Sequence, residues 1–409
     1  MAEASLIPAP PSLALMRGGA FELLCACATT RPDPRRIERI SSLDWSEFLR
    51  LAEHHGVLPL VAHNLTAHAR DLPPRIQRAL QSACAENLRR SLWFAAELSR
   101  IMQHFEQNRV RALPYKGPVL AQTAYGDVAL RSFSDLDLLI SPADFERARQ
   151  ALAEIGYRPS SKIPPAVERL WLRTGYERSF DGAAGKNLVE LQWNLLPYFY
   201  AVDWQAGNFQ FDDLWARAGR TALGLAQGAS GVPCLSPEDG LLVLCLHAAK
   251  HLWTRLIWVA DIAESLRVPG IDLAVVMTRA RALGVTRILA VSLWLAENLL
   301  GASTSSPHDL YDQEVRLLGE ECAVRMRGSV GYDFDSTAYF RQIFKLRERS
   351  GDRWRYLWRL ALTPGPGDIA VVALPEALFP LYRAVRLGRL LLKCSPTLLR
   401  RKAVRAAHG

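Results

Sequence analysis

Apolar side chains recur at helical spacing over the first quarter of the chain. Two segments, 13–28 and 44–66, are rich in apolar residues, and a longer amphipathic stretch follows over 76–105. This spacing places the apolar side chains on one face of a helix. The pattern therefore predicts a helical N-terminal region over residues 1–108.

The pattern changes after that region. Short apolar runs at Val110–Leu113 and Leu136–Ile140 are typical of buried strands, and each is followed by a segment with helical periodicity. Tyr176–Phe180 and Leu188–Trp193 have the residue types of two further strands, joined by a turn that contains glycine. Together these elements predict a small α/β or α+β unit over residues 109–235.

Helical periodicity then returns. Apolar residues repeat at helical spacing through 237–300, and two more helices are expected at 310–326 and 336–349. These segments form a predicted helical domain over 236–350, and a C-terminal tail follows over 351–409. The predicted fold class is α+β, with a small mixed-sheet unit flanked by helical N- and C-terminal regions.

The composition is that of a globular protein in a reducing compartment. Of the 409 residues, 49% are hydrophobic and 22% are charged, which is enough to bury more than one core. The 7 cysteines are an odd number without Cys-x-x-Cys pairs, which argues against a disulfide framework or a zinc site. No apolar run is long enough to span a membrane, and no signal peptide is recognisable. We therefore expect a cytoplasmic protein.

Positive charge is concentrated in the tail. The net charge is +9, and residues 352–409 carry 11 basic and 3 acidic residues, a net of +8. A nucleic-acid binder would spread basic residues over a binding face, so nucleic acid is not an expected partner. Arg383, Arg386, Arg389 and Lys393 form a stripe on a predicted basic amphipathic helix. Such a helix either lies on an anionic membrane surface or packs on the protein with a solvated basic face.

The strongest chemical signal is a pair of aspartates in a strand. Alternate residues of a strand point the same way, so Asp135 and Asp137 share one side. Close carboxylates repel each other, and Mg²⁺ or Mn²⁺ would relieve that repulsion. Upstream, Gly117 opens a helix that can approach a phosphate, and downstream Glu190 and Gln192 share one strand face. This is the layout of a two-metal phosphoryl-transfer site.

The segments around these residues resemble a known family. The similar segments are Lys116–Leu120, Tyr125–Asp127, Arg131–Ile140, Val189–Trp193 and Leu246–Trp253, with Trp258 and Asp261 after them. On these segments the chain is similar to the uncharacterised bacterial nucleotidyltransferase family of the polymerase-beta-like superfamily, over most of residues 45–300.

The resemblance implies a nucleotidyl transfer. An acceptor nucleophile attacks the α-phosphate of a nucleoside triphosphate, and pyrophosphate leaves. Asp135, Asp137 and Glu190 are the implied catalytic residues and the implied ligands of Mg²⁺ or Mn²⁺; Glu190 either holds the metal that activates the acceptor or acts as a base. The implied nucleotide-binding residues are Lys116, Gly117, Arg131 and Ser134.

Two positions differ from the family pattern. Pro118 follows Gly117 and donates no backbone N–H group, and Gln192 stands where relatives often have His. The residues expected to contact the acceptor or a phosphate are Gln192, His247, Lys250, His251 and Arg255. His247 and His251 are four residues apart on one helix, which also suits a structural pair or, with a third ligand, zinc.

The expected acceptor is not a nucleic acid. It is a small molecule, a peptide or a saccharide in a biosynthetic setting. Two other functions stay open at this point: a non-catalytic relative that binds a nucleotide or a partner protein, and a peripheral membrane adaptor that acts through the tail on the inner face of the membrane.

Overall fold

The computed structural model describes residues 19–38, 43–69, 71–161, 163–223, 231–303, 310–329, 331, 333, 336–372 and 374–391. The first part of the helix predicted over 13–28 lies outside these residues, as does Lys393 of the tail. No helix in the described part of the chain has both the length and the hydropathy needed to cross a membrane.

The N-terminal region is helical, as the apolar periodicity predicts. Its helices are α1 (Ala20–Cys27), α2 (Pro34–Ile37), α3 (Trp45–His54), α4 (Leu58–His68) and α5 (Pro74–Gln107). Asp44 caps α3 by accepting the backbone N–H groups of Ser46 and Glu47. The single segment predicted over 44–66 forms two helices, because Gly56 adopts a φ of 71° between them.

A five-stranded sheet follows in the chain. Its strands are β1 (Ala112–Pro114), β2 (Leu136–Ile140), β3 (Arg158–Pro159), β4 (Glu177–Gly182) and β5 (Gly185–Gln192). Their order across the sheet is β1-β2-β5-β4-β3. The central pair, β2 and β5, is parallel, and the other neighbours are antiparallel. The predicted mixed sheet is therefore confirmed.

Short helices and a second hairpin surround the sheet. They are α6 (Gly117–Leu120), α7 (Phe145–Glu154), α8 (Pro165–Thr174), α9 (Phe211–Ala216), β6 (Gly219–Thr221) and β7 (Val232–Cys234). The helix predicted after the first strand is α6 continued by a π-helical turn over Ala121–Tyr125. The sequence pattern predicts neither α8 nor the β6–β7 hairpin.

The rest of the described chain is helical. Its helices are α10 (Pro237–Lys250), α11 (Leu256–Ser265), α12 (Leu273–Leu283), α13 (Thr286–Leu300), α14 (Gln313–Arg327), α15 (Thr337–Leu346), α16 (Ser350–Leu362) and α17 (Pro366–Val371). Helices α10 to α13 lie within the range 237–300 over which the apolar periodicity predicts helices. The helical flanks and the sheet together confirm the α+β fold class.

Two hydrophobic cores hold the fold together. The helices before and after the sheet share one core, in which Leu24 and Leu60 lie in the same cluster as Leu244 and Ala260. The second core packs the C-terminal half of α5 and helix α7 against the sheet. The N-terminal region and the 236–350 helices are thus joined by burial of apolar surface, although the sheet unit separates them in sequence.

In the described part of the tail, two arginines of the predicted stripe form ion pairs with a buried aspartate. Asp368 is fully buried and forms ion pairs with Arg386, at 3.1 Å, and with Arg389. Arg386 also donates to the backbone carbonyl oxygen of Leu360 at 2.6 Å. The expectation of a continuous basic face is therefore wrong at these two positions, because a buried carboxylate needs charged partners.

Candidate functional site

A cleft of about 700 Å³ lies between the sheet and helices α5, α10 and α11. Most of the residues expected at the site line it: Lys116, Gly117, Arg131, Ser134, Asp135, Asp137, Glu190, His247, Lys250, His251 and Arg255. Its volume is in the range of pockets that hold small molecules and nucleotides. A larger cavity, of about 1100 Å³, lies between α5 and the β6–β7 hairpin, and none of the expected site residues lines it.

Strand pairing brings the carboxylates together. Asp135 immediately precedes β2, and Asp137 of β2 lies in register with Glu190 of β5. On the other side of β5, Glu177 of β4 lies opposite Gln192. Neighbouring strands are about 4.8 Å apart, so side chains in register on one face meet. Four carboxylates therefore line one wall of the cleft.

Gln192 links three of these carboxylates. Its Nε2 donates to Asp137 Oδ1 at 3.0 Å, to Glu190 Oε2 at 3.2 Å and to Glu177 Oε2 at 3.3 Å. Tyr115 donates its hydroxyl to Gln192 Oε1 at 2.6 Å, which fixes the orientation of the amide. Because Asp137 and Glu190 contact the same nitrogen, the two carboxylates are side by side. The amide at position 192 thus has a positioning role that does not require titration.

Two lysines face the carboxylates. Lys116 Nζ lies 2.8 Å from Asp137 Oδ1, and Lys250 Nζ lies 3.9 Å from Glu177 Oε2. Lys250 also sits over the Tyr176 ring, 4.7 Å from its centre. Burial opposes the charge of Lys116, but Asp137 and Asp135 outweigh this effect and raise its pKa. Burial lowers the pKa of Lys250, and Glu177 only partly opposes the shift.

The crowded carboxyl groups hold protons more tightly than usual. Burial and the charge of Asp137 raise the pKa of Asp135 to about 6. Burial, Asp137 and Glu177 raise the pKa of Glu190 to about 8. Lys116 opposes both shifts without cancelling them. A divalent cation among these groups would stabilise their ionised forms.

The chemistry of these side chains fits a hard divalent cation. Carboxylate oxygens are the ligands that Mg²⁺ and Mn²⁺ prefer, and Asp135, Asp137 and Glu190 supply them on one wall of the cleft. In the described residues, however, no three Asp, Glu, His or Cys side chains already converge as a metal site. Asp137 instead contacts Lys116 and Gln192 through the same oxygen.

The loop before α6 passes close to the aspartates. Gly117 adopts a φ of 56°, which a residue with a side chain rarely takes. A Cβ atom at this position would lie 3.5 Å from the backbone oxygen of Asp135. Pro118 follows as the second residue of the short helix. The expected role of Gly117 at a triphosphate stays a prediction.

Arg131 is held by an aspartate of α11. Its Nε and Nη2 donate to the two carboxylate oxygens of Asp261 at 2.7 and 2.8 Å. Tyr125 donates its hydroxyl to the same carboxylate at 2.6 Å. The Arg131 side chain is 6% exposed, so it is mainly part of a buried network. Ser134 lines the cleft near it.

Helices α10 and α11 contribute an aromatic wall. His251 stacks on Trp258 with ring centres 4.6 Å apart and an angle of 23° between the planes. His247 meets His251 at 4.8 Å and Trp258 edge-on at 5.8 Å. Burial, with nearby lysine charge, lowers the pKa of both histidines well below 6.5. Both imidazoles are therefore neutral at neutral pH, and the expected structural pair is compatible with this packing.

The backbone after α10 turns sharply to place this wall. Leu252 and Trp253 both have positive φ, 50° and 48°. Non-glycine residues in this region carry strain, which buried contacts must offset. Trp253 is buried and donates its indole N–H to Ser292 at 3.0 Å, and Tyr339 donates to the Lys250 carbonyl at 2.8 Å. The turn places His251 before it and Arg255 after it along the same cleft.

Sequence reasoning missed Glu177, Tyr115 and the role of Asp261. Glu177 was readable only as one residue of a predicted strand, since its face depends on the hairpin register. Tyr115 precedes the loop lysine and carries no motif of its own. Asp261 lies in a segment that resembles the family, but its partner Arg131 is 130 residues earlier in the chain.

Comparisons with known proteins place the chain in a family. The model of a family described as uncharacterised nucleotidyltransferase matches residues 41–301, more than half of the chain. A search of curated proteins and a search of solved structures gave no match. The matched range contains the three strands of the carboxylate cluster, the Lys116 loop and the wall formed by α10 and α11. The chain therefore belongs to the uncharacterised nucleotidyltransferase family, and it is a nucleotidyltransferase.

Proposed function

We propose that the protein transfers a nucleoside monophosphate from a nucleoside triphosphate to an acceptor that is not a nucleic acid. Pyrophosphate is released, and the reaction requires Mg²⁺ or Mn²⁺. One observation supports this most: Asp137 and Glu190 lie in register on neighbouring strands, bridged by Gln192, inside a cleft of about 700 Å³. Paired carboxylates on neighbouring strands suit a phosphoryl-transfer centre.

In this proposal each residue has a defined role. Asp135, Asp137 and Glu190 hold the divalent metal, which, when bound, neutralises charge on the triphosphate. The acceptor oxygen forms a bond to the α-phosphorus while the bond to pyrophosphate breaks, and a carboxylate of the cluster accepts the proton that the acceptor loses. Lys116 pairs with phosphate oxygens, and its charge is most effective in a site that excludes water. Gln192 keeps Asp137 and Glu190 in place.

The acceptor binds at the aromatic wall. His247, His251 and Trp258 offer neutral, planar surfaces beside the carboxylates, with Lys250 and Arg255 at the same cleft. Small molecules, peptides and saccharides can all pack on such rings. The basic surplus of the sequence lies in residues 352–409 and not in these helices. This distribution favours a small acceptor over a nucleic acid.

Label transfer tests the proposed reaction. The purified protein is incubated with a small-molecule extract, Mg²⁺ and a nucleoside triphosphate labelled on either the α- or the γ-phosphate. We expect acceptor labelling from the α-phosphate alone, lost on chelation and in the Asp135→Asn/Asp137→Asn double variant. Asp212→Asn, at an exposed position on α9, is the matched control. Labelling from the γ-phosphate would indicate a kinase, and tight nucleotide binding without labelling would indicate a non-catalytic relative.

We also propose a second role, association of the C-terminal region with an anionic membrane surface. Trp354 and Trp358 lie one turn apart on α16, and they are 74% and 70% exposed. Indole rings favour the interface between headgroups and acyl chains, and the net positive charge of residues 352–409 attracts anionic lipid. Because Arg386 and Arg389 pair with Asp368, this proposal relies on the α16 face and not on the arginine stripe.

A further inference from the structure

The Lys116 ammonium contacts the side-chain oxygen of Asp137, a residue that we propose as a metal ligand. Its Nζ lies 2.8 Å from Asp137 Oδ1, and the two side chains are only 11% and 2% exposed. The same oxygen accepts the Gln192 amide at 3.0 Å. The carboxylate most central to the cluster is thus already neutralised by a residue of the chain.

The charge around this pair is unbalanced. Asp135, Glu177 and Glu190 lie near Asp137, while Lys250 pairs with Glu177 at 3.9 Å. Arg131 makes no direct contact with Asp137, because its Nε and Nη2 donate to Asp261, and its charge acts on the cluster only from a distance. Without Lys116, Asp137 would be a buried anion beside other carboxylates, a costly arrangement. Lys116 therefore stabilises the cleft when no metal is bound.

The position of Lys116 also allows its ammonium to move away from Asp137. It sits one residue before Gly117, whose positive φ turns the chain into α6, and its flexible side chain lines the open cleft. A lysine ammonium is a mobile point charge with three donors, unlike the fork of Arg131. A triphosphate beside Gly117 would offer it several anionic oxygens in exchange for one carboxylate.

We propose that Lys116 is an exchangeable counter-ion of the metal site. It neutralises Asp137 in the metal-free cleft and moves to the triphosphate when metal and nucleotide enter together. The second half of this inference, the movement of Lys116 to the triphosphate, rests on the proposed function. One consequence is that free divalent metal competes with Lys116 for Asp137 and binds weakly. The metal–nucleotide complex binds better, because the metal replaces Lys116 at Asp137 and the triphosphate replaces Asp137 at Lys116.

Binding of Mn²⁺ alone tests the first half. Free Mn²⁺ is measured by electron paramagnetic resonance during titration of the full-length protein without nucleotide. We expect Lys116→Met to bind Mn²⁺ about tenfold or more tightly than wild type, since an opposing unit charge at this distance is removed. Lys186→Met, an exposed lysine of the β4–β5 hairpin, should match wild type. Adding Asp137→Asn to Lys116→Met should abolish the gain.

Equal Mn²⁺ affinity in wild type and Lys116→Met, or no binding in either, overturns the inference. Circular dichroism checks the fold. If Lys116→Met does not fold, Lys116→Gln keeps a hydrogen-bond donor for Asp137 without the charge and should show the same gain. The label-transfer experiment remains independent: nucleotidyl transfer with unchanged Mn²⁺ affinity rejects only the counter-ion role. A gain in Mn²⁺ affinity with no nucleotide binding rejects the proposed function and the exchange step. Only the first half of the inference, competition between Lys116 and the metal, then stands.

Discussion

Arg131 and Asp261 form a two-pronged ion pair between the approach to β2 and helix α11. Nε and Nη2 of the arginine lie 2.7 and 2.8 Å from the two carboxylate oxygens, and both side chains are buried. Tyr125 adds a third hydrogen bond. The pair fixes the strand that carries the aspartates relative to the helices that complete the cleft. Arg131 is thus first a structural residue, whatever it contributes to phosphate binding.

Replacing Arg131 should cost stability. Arg131→Met leaves the Asp261 carboxylate buried without its charged partner, so we expect the free energy of unfolding to fall by about 3–5 kcal/mol. Urea denaturation measures it. Arg50→Met removes an exposed arginine paired with Glu47 and should leave stability nearly unchanged, because exposed ion pairs contribute little. Full stability of Arg131→Met with weakened nucleotide binding would identify Arg131 as mainly a phosphate ligand.

Lys116→Met should weaken nucleotide binding. At saturating Mg²⁺, the variant lacks the ammonium that we propose to bind phosphate, and we expect a loss of about 1.5–3 kcal/mol of binding free energy, the size of a hydrogen bond to a charged group. Isothermal titration with a non-hydrolysable nucleoside triphosphate measures the affinity, with Lys186→Met as the control. If the affinity is unchanged in the folded variant, the phosphate-binding cations are to be sought at Lys250 and Arg255.

Gln192 should matter for rate more than for folding. Gln192→Leu removes the bridge between Asp137 and Glu190, so we expect a fall of about 10–100-fold in the rate of label transfer, as for other groups that orient metal ligands. Gln192→His restores the residue expected in relatives, keeps a ring N–H donor and should retain most of the rate. Tyr115→Phe removes the hydrogen bond that orients the Gln192 amide, so its rate should lie between those of Gln192→Leu and Gln192→His. An unchanged rate in Gln192→Leu contradicts the positioning role.

Acid should destabilise the protein through a buried histidine. Burial, and then the charge of His54, lowers the pKa of His55 from 6.5 to about 4. The unfolded chain therefore binds a proton more readily, and the free energy of unfolding decreases as the pH falls from 6.5 towards 4. The slope for this group is at most about 1.4 kcal/mol per pH unit.

His55→Asn isolates this contribution. In the wild type, Nδ1 of His55 accepts the backbone N–H of Leu256 at 3.2 Å, and an asparagine oxygen can take its place without titrating. Urea denaturation between pH 4 and 7 should show a shallower dependence in the variant, with the part due to His247 and His251 retained. Identical slopes would show that His55 does not titrate in this range.

The exposed indoles of α16 should govern membrane association. Trp354→Ser/Trp358→Ser should lose co-sedimentation with vesicles that contain phosphatidylserine, because each indole contributes apolar area at the interface. Trp93→Ser, a less exposed tryptophan on α5, is the control. Binding should also weaken with salt. Failure of the wild-type protein to sediment with anionic vesicles rejects the membrane proposal.

The sequence was sufficient where local pattern decides the structure. Strand β2 spans the predicted Leu136–Ile140, and the shared face of Glu190 and Gln192 follows from strand parity. The position of Glu177 could not be derived fully. Counting back from the turn places it opposite Glu190, but a bulge between Phe180 and Gly182 moves its partner to Gln192, two residues away on the same face.

Long-range partners were beyond local pattern. Nothing near Arg131 indicates that its carboxylate lies on α11, and nothing in the tail indicates that Arg386 pairs with Asp368. Such pairs depend on how helices pack and not on periodicity. The same limit applies to Lys116, whose approach to Asp137 depends on the turn at Gly117.

The core shared by the N- and C-terminal helices also sets an order of events during synthesis. Thr29 donates its hydroxyl to Glu264, 235 residues further on, and the apolar faces of α1, α3 and α4 are covered by helices made equally late. Because the sheet unit has its own core, we expect it to fold before the helices that cover those faces have been made. His247, Lys250 and Trp258 lie on α10 and α11, so we expect the cleft to be completed only after these late helices are in place. A chain that stops short of α11 lacks Trp258 and the Asp261 partner of Arg131, so we expect it to form the sheet without a complete cleft.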